Sequence, residues 1–267
     1  KDTFTQPYER LGKVEDCSDL YSAIMSENNS KPMLMSKHLK PIMSFIDDDC
    51  WNTQTIENEA SWGESRGIFM SFAIGITATE EALTNGRTLK LLDVQKRGHD
   101  IVAHSSDYTS GGGVSNKLEL YSKFARDRMW LQKAGFIDVK GYVYENGVSS
   151  GYMTQCVQRY YEFGMKTGAN QYNNYKGTRR YNLGRTELSD GVTTEQAETL
   201  INNLVKTPGG WLVFFINHWS STNKTIEDFE SAFGPLVDAA NAAGVEILPV
   251  TEAWERKKYL YNLRELI

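Results

Sequence analysis

From residue 40 onward, short apolar runs alternate with stretches whose apolar residues recur at helical spacing. The runs "PIMSFI" (41–46), "GIFMSFAIG" (67–75), "DIVAH" (100–104), "DVKGYVY" (138–144), "TRRYNL" (178–183), "WLVFFINH" (211–218) and "VEILPV" (245–250) read as strands. Between them, residues 79–98 and 117–135 carry amphipathic helical patterns, each ending at a glycine suited to a C-cap. Further helical patterns cover 152–165, 193–206 behind a threonine N-cap, 225–244 with a break or kink near Pro235, and a closing stretch from 251. Continuous apolar strands alternating with helices indicate a parallel sheet covered by helices. Seven or eight such units in roughly 230 residues favour a distorted (β/α) barrel of mostly parallel strands over an open sheet. Residues 1–40 differ: they are polar, with one helical stretch, "CSDLYSAIMSE", and read as a lead-in or cap ahead of a barrel spanning 41–267.

Composition narrows the class without naming it. The 267 residues are 40% apolar and 24% charged, ordinary for a globular protein with a sizeable core. A net charge of -5 argues against nucleic acid as a partner, which would call for a basic face. No apolar run approaches the roughly 18 residues of a membrane span, and oligomeric state is not legible. Cys17, Cys50 and Cys156 are odd in number and far apart, so they form neither a disulfide framework nor a C-x-x-C knuckle. Tyrosines crowd polar stretches such as "YNNYKGTRRYNLG" (172–184), where they either cover barrel ends or offer faces to sugar rings.

In parallel α/β folds the chemistry gathers at the carboxyl ends of the strands. Those ends carry Asp47-Asp48-Asp49, then His104-Ser105-Ser106-Asp107-Tyr108, Glu145-Asn146, Asn217-His218-Trp219 and Thr251-Glu252. Taken singly, a run of acids is ordinarily solvated surface and a strand-final histidine is ordinarily structural. Their joint occurrence on several strands points instead to a site. A carboxylate and an imidazole converging from separate strands suit zinc, and a second imidazole suits acid–base work near neutral pH. His38 and His99 fall outside this pattern and read as structural.

The quoted residues resemble a known family. "SFIDDDC", "RGHDIVAHSSDY", "WLVFFINHWSS" and "AAGVEILPVTEAW" follow the order and spacing of the polysaccharide deacetylases of the NodB-homology, carbohydrate esterase family 4 type. The family's first motif ends a strand in two aspartates and a glycine, the first a base and the second a metal ligand. With Cys50 at the glycine position, the resemblance makes Asp48 the base and Asp49 the ligand, with Asp47 in a usually aromatic position. The alternative register makes Asp47 the base and Asp48 the ligand. In the second motif, His-(Ser/Thr)-x-x-His, His104 matches a metal ligand but Tyr108 stands where the second imidazole belongs. A phenol with a pKa of about 10 is a poor zinc ligand at neutral pH, which leaves Tyr108, Asp107 or water to fill that position. The third motif's Arg-x-Pro is absent; Tyr144, Glu145 and Asn146 stand there as substrate-facing candidates, joined by Trp219. The fifth motif matches "VFFINH", making His218 the acid.

The resemblance implies a hydrolase that removes acetyl groups from an N- or O-acetylated polysaccharide with a divalent metal, zinc foremost, outside the cell or at its surface. Because an ester leaving group needs less acid assistance than an amine, the departures favour O-deacetylation. Two other readings stay open. One is a carbohydrate-binding domain that has kept the barrel and lost turnover. The other is a glycoside hydrolase using strand-end carboxylates such as Asp48, Glu145 and Glu252, which would need a carboxyl separation of about 5 or 6.5–9.5 Å.

Overall fold

The computed structural model describes residues 38–76, 79–105, 116–147, 149–168, 172–188, 191–216 and 223–265. The lead-in stretch "CSDLYSAIMSE" lies outside them. In chain order the described elements are β1 (Ile42–Asp48), α1 (Thr53–Ser65), β2 (Ser71–Ile74), α2 (Gly86–Lys96), β3 (Asp100–Ala103), α3 (Lys117–Ala134), β4 (Gly141–Val143) and α4 (Gly151–Tyr160). They continue as β5 (Phe163–Thr167), β6 (Tyr172–Asn173), β7 (Leu183–Glu187), α5 (Thr194–Val205), β8 (Trp211–Ile216), α6 (Ile226–Ala242), β9 (Glu246–Ile247) and α7 (Val250–Glu265).

Strands β1, β2, β3, β4, β5, β7 and β8 pair in parallel, and β8 returns to β1 to close a seven-stranded barrel. The closing seam is the longest pairing, running in register from Ile42↔Trp211 to Asp47↔Ile216. Strand β9 lies parallel on the start of β1, and β6 lies antiparallel on the start of β8.

Side chains alternate across each strand, so two cores form. Ile42, Ile46, Val102, Val143, Phe163, Leu183, Val213 and Phe215 fill the barrel, whereas Met43, Phe45, Phe72, Leu212 and Phe214 meet the helices outside. Outside, Phe45 packs against Trp62 of α1 and Phe233 of α6. The amino-terminal mouth is plugged by α7, whose Val250, Ala253, Trp254 and Tyr261 belong to the interior core. The Val250 N–H donates to Ser71 Oγ at 2.8 Å and the Thr251 N–H to Asp100 Oδ2 at 2.9 Å, both at strand starts.

Several boundaries differ from the pattern-based expectation. Helix α1 was not anticipated, because its buried face mixes Thr55, Glu59 and Gly63 with Ile56, Ala60 and Trp62 and so breaks the apolar period. Its start is marked by the Asn52 side chain, which accepts from the Gln54 and Thr55 N–H groups. The helix expected over 152–165 ends at Tyr160, and Phe163–Thr167 is a barrel strand whose apolar residues continue the helical run by coincidence of spacing. The strand expected over 178–183 instead occupies Leu183–Glu187. Helix α6 runs through Pro235 unbroken, its flanking turns held by buried Phe229, Phe233, Leu236 and Val237. Thr251 and Glu252 begin α7 at the plugged mouth, far from the carboxyl ends where strand reading put them. The tyrosine-rich stretch also serves the lower barrel: Asn173 bonds both Gly184 and Trp211, and Tyr175 packs on the interior core.

Alternation also separates the three adjacent aspartates. Asp47, an odd position of β1, turns outward beneath α1, where it meets Glu59; both are fully buried. The oxygens of both carboxyls make no hydrogen bond among the described residues, and burial together with the repulsion between them disfavours ionising both. Burial raises Asp47 well above the usual carboxylate range and lifts Glu59 from 4.5 to about 8. A raised folded pKa contributes stability that is full below the unfolded value and is lost as pH rises through about 8. Glu59→Gln, which keeps a neutral donor toward Asp47, is expected to flatten this loss and to raise the urea midpoint above that of the parent at pH 9, measured by equilibrium unfolding between pH 5 and 9.

Candidate active site

Asp48 ends β1 on an even, inward position at the carboxyl-terminal mouth. Inside a barrel an ionised carboxylate needs a partner, and Arg185 of β7 supplies it: Nη1 donates to Asp48 Oδ1 at 2.6 Å. Arg185 is itself buried, its guanidinium 4.4 Å from the centre of the Phe215 ring.

The chain then turns sharply. Asp49 (φ 71) and Cys50 (φ 49) both adopt left-handed backbone, an uncommon conformation for residues with a Cβ. Arg87 of α2 clamps the turn, donating to the carbonyls of Cys50 (2.7 Å), Gly75 (3.2 Å) and Asp49 (2.6 Å). The bend lets Asp49 follow Asp48 onto the same mouth, where strict alternation would have sent it outward.

His104 follows β3 with its N–H bonded to the Ile74 carbonyl at 2.8 Å. Its Nδ1 meets the Val143 carbonyl at 3.0 Å, where only an N–H can bond, and this directs Nε2 across the mouth. Nε2 faces Asp49 Oδ1 at 3.5 Å, and that buried oxygen makes no hydrogen bond among the described residues. Burial raises the Asp49 pKa, opposed chiefly by His104. Ser105 (φ 96) is a third non-glycine residue in left-handed backbone at this mouth.

A tight turn over Glu145–Gly147 follows β4. Glu145 is buried and receives Lys123 Nζ of α3 at 2.8 Å. Tyr144 is buried in the outer core, its hydroxyl donating to the Tyr181 carbonyl at 2.9 Å. Asn146 (φ 52) and Gly147 (φ 66) carry the chain past Thr167, and a side chain at 147 would overlap Thr167 Oγ1.

These residues wall a cavity of about 380 Å³ lined by Asp48, Asp49, His104, the 144–147 segment, Thr167 and Arg185. Larger grooves of about 750 and 590 Å³ lie in the outer layer beside α5, the former with Glu230 and Asp238 already engaged by Arg66. Of the residues singled out from sequence, Asp48, Asp49, His104, Glu145 and Asn146 converge on the smaller cavity, which Tyr144 also borders although its ring is turned into the outer core, away from the substrate-facing place the sequence suggested. Asp107, Tyr108, His218 and Trp219 lie outside the described residues. Among the described residues, no third histidine, cysteine, aspartate or glutamate joins Asp49 and His104 in a metal-sized cluster. Glu252 is remote and pairs with Arg256 at 3.4 Å. His38 and His99 make structural bonds, to the Arg256 carbonyl and to the Met70 N–H.

Arg185, Arg87 and Lys123 escaped the sequence reading. Arg185 carried a usable signal, a charge at an inward position of an otherwise apolar strand; the other two sit on helices with nothing to distinguish them.

No family model and no curated protein matches the chain by sequence. Solved structures match by shape. A proposed polysaccharide deacetylase from Mycobacterium smegmatis superposes with a TM-score of 0.61 at 9% identity, over 86% of this chain and 93% of that one. A family 4 acetyl xylan esterase from Clostridium thermocellum, in complex with a cobalt ion, gives 0.53 at 13% identity over 80% and 90%. A CE4 family pseudoenzyme from Bacillus anthracis gives 0.52 at 9% identity over 80% and 65%. The chain thus has the fold of the carbohydrate esterase family 4, NodB-like polysaccharide deacetylases.

Removing one partner of a buried ion pair strands the other. Arg185→Met is expected to lower unfolding free energy by about 3–5 kcal/mol, and adding Asp48→Asn is expected to recover part of it, measured by urea unfolding at pH 7.

Proposed function

We propose that this protein hydrolyses acetyl groups from an acetylated polysaccharide, as a deacetylase of the carbohydrate esterase family 4 type acting outside the cell or at its surface. The observation that carries the reading is the arrangement at the barrel mouth, with Asp48 fixed by Arg185 beside the facing pair Asp49 and His104. The facing pair fits a divalent cation. Asp49 Oδ1 is buried without a hydrogen bond, His104 presents Nε2, and mixed oxygen and nitrogen donors suit zinc. Asp49 and His104 would hold the ion, with Tyr108 or Asp107 as the further ligand from the segment after His104. A cation there supplies Lewis-acid polarisation of the acetyl carbonyl and a lowered pKa for water beside it.

The protein's own groups divide the remaining work. Asp48 takes the proton from the attacking water, and its hydrogen bond from Arg185 fixes its orientation. As the water oxygen bonds to the acetyl carbon, main-chain N–H groups of the turn after β4 stabilise the developing oxyanion. His218 donates a proton to the leaving sugar oxygen or nitrogen as its bond to the acetyl carbon breaks. Glu145 and Asn146 border the sugar, with Trp219 as a further substrate-facing candidate. An alkoxide leaves with less help than an amine, which favours O-acetyl substrates.

A second reading, glycan binding without turnover, draws on Tyr108 in place of an imidazole. It predicts no retained metal and no acetate release.

The test is metal content together with acetate release from a panel of O- and N-acetylated glycans. Asp49→Ala and His104→Ala are expected to lose bound metal and at least a hundredfold in kcat/KM, and Asp48→Asn is expected to lower kcat by about 10²–10⁴-fold with metal retained. Full activity in Asp49→Ala and His104→Ala would sink the assignment.

A further inference from the structure

Two residues beyond Asp49, Trp51 stands 48% exposed, an unusual position for the largest apolar side chain. It is not loosely held. The Arg87 guanidinium lies 4.4 Å from the ring centre, and that guanidinium is fixed by the carbonyls of Asp49, Cys50 and Gly75. One face of the indole therefore rests on an immobilised cation tied to the backbone of the site, while the ring keeps half its surface in solvent. The ordering cost of a contact with that surface has already been met by folding.

The surroundings are polar and equally fixed. Asn52 uses its side-chain oxygen to cap α1, so its amide nitrogen is aimed outward, to Asn223 Oδ1 at 2.8 Å. Asn58 bonds the Lys224 carbonyl at 2.5 Å and the Lys224 N–H bonds Thr55 Oγ1 at 3.2 Å, tying the 223–225 segment to the same helix end. A flat aromatic surface edged by side-chain amides matches a pyranose, which has an apolar C–H face and a rim of hydroxyls.

We infer that Trp51, seated on Arg87 and edged by Asn52 and Asn223, is a sugar-stacking subsite that binds a residue of the glycan next to the one being deacetylated. The inference rests on the proposed deacetylase reading for its register: Trp51 follows Asp49 by two residues, and Arg87 ties the ring to the Asp49 carbonyl. It makes the protein selective for oligomers over single acetylated sugars.

The experiment compares an acetylated xylopentaose with 4-nitrophenyl acetate, which is too short to span both sites. In Trp51→Ala the ratio of kcat/KM for the pentamer to that for the small ester is expected to fall about tenfold, through KM, the size of one well-formed aromatic contact. Trp51→Tyr, which keeps a ring, is expected to restore most of the ratio. An unchanged ratio in Trp51→Ala overturns the subsite. If the parent protein releases no acetate from either substrate, the deacetylase reading fails by itself, and calorimetric titration of the pentamer then decides the subsite. Weaker binding to Trp51→Ala than to the parent supports it; equal binding, or none to the parent, overturns it.

Discussion

The structure depends on the fixed alternation of β1, which is locked because the strand is hydrogen-bonded on both sides. Pairing with β2 on one edge and along six positions with β8 on the other leaves no freedom for slippage. A slip of one residue would move Asp48 under the helices and bring Asp47 into the barrel, away from Glu59 and toward Arg185. The same alternation divides Met43 and Phe45 from Ile42 and Ile46, so the two cores and the site geometry come from one constraint. The left-handed turn at Asp49 and Cys50, held by Arg87, is the single break in that alternation, and it makes two consecutive acids face one mouth.

Charge is handled in pairs. Asp48 with Arg185 and Glu145 with Lys123 are buried ion pairs at hydrogen-bonding distance, so each is close to neutral as a unit. Asp47 and Glu59 lie buried together on the far side of the strand, where burial holds both pKa values up and repulsion from Glu59 adds to the rise at Asp47. What remains facing the cavity is Asp49 opposite His104, with Oδ1 and Nε2 3.5 Å apart. Strain is concentrated in the same place, since Asp49, Cys50 and Ser105 all have positive φ, and rigid packing beneath them sustains it.

Sequence patterning read the barrel well where strands are uniformly apolar. "WLVFFI" and "PIMSFI" could hardly be anything but buried strands, and the helices over 117–135, 193–206 and 225–244 were legible to within a residue or two, whereas the one expected over 79–98 begins only at Gly86. It failed where burial is polar. Helix α1 buries Thr55 and Glu59, β5 shares its apolar residues with the preceding helix, and β7 hides a buried arginine among apolar neighbours. Strand-end reading also assumed that every strand climbs to the same mouth, which misassigned Glu252, because β9 is two residues long and its chain turns under the barrel instead.

By itself, then, the sequence determined the β–α order, the closed parallel architecture and the gathering of Asp48, Asp49 and His104 at strand ends, since these follow from local periodicity and chain direction. Tertiary structure alone decided the partners. Arg185 reaches Asp48 across 137 positions of sequence, Glu59 takes up Asp47, and Arg87 braces both the aspartate turn and Trp51. No local pattern encodes those contacts. They exist because closing the barrel brings side chains from distant strands and helices into a space too dry to leave a charge unpaired.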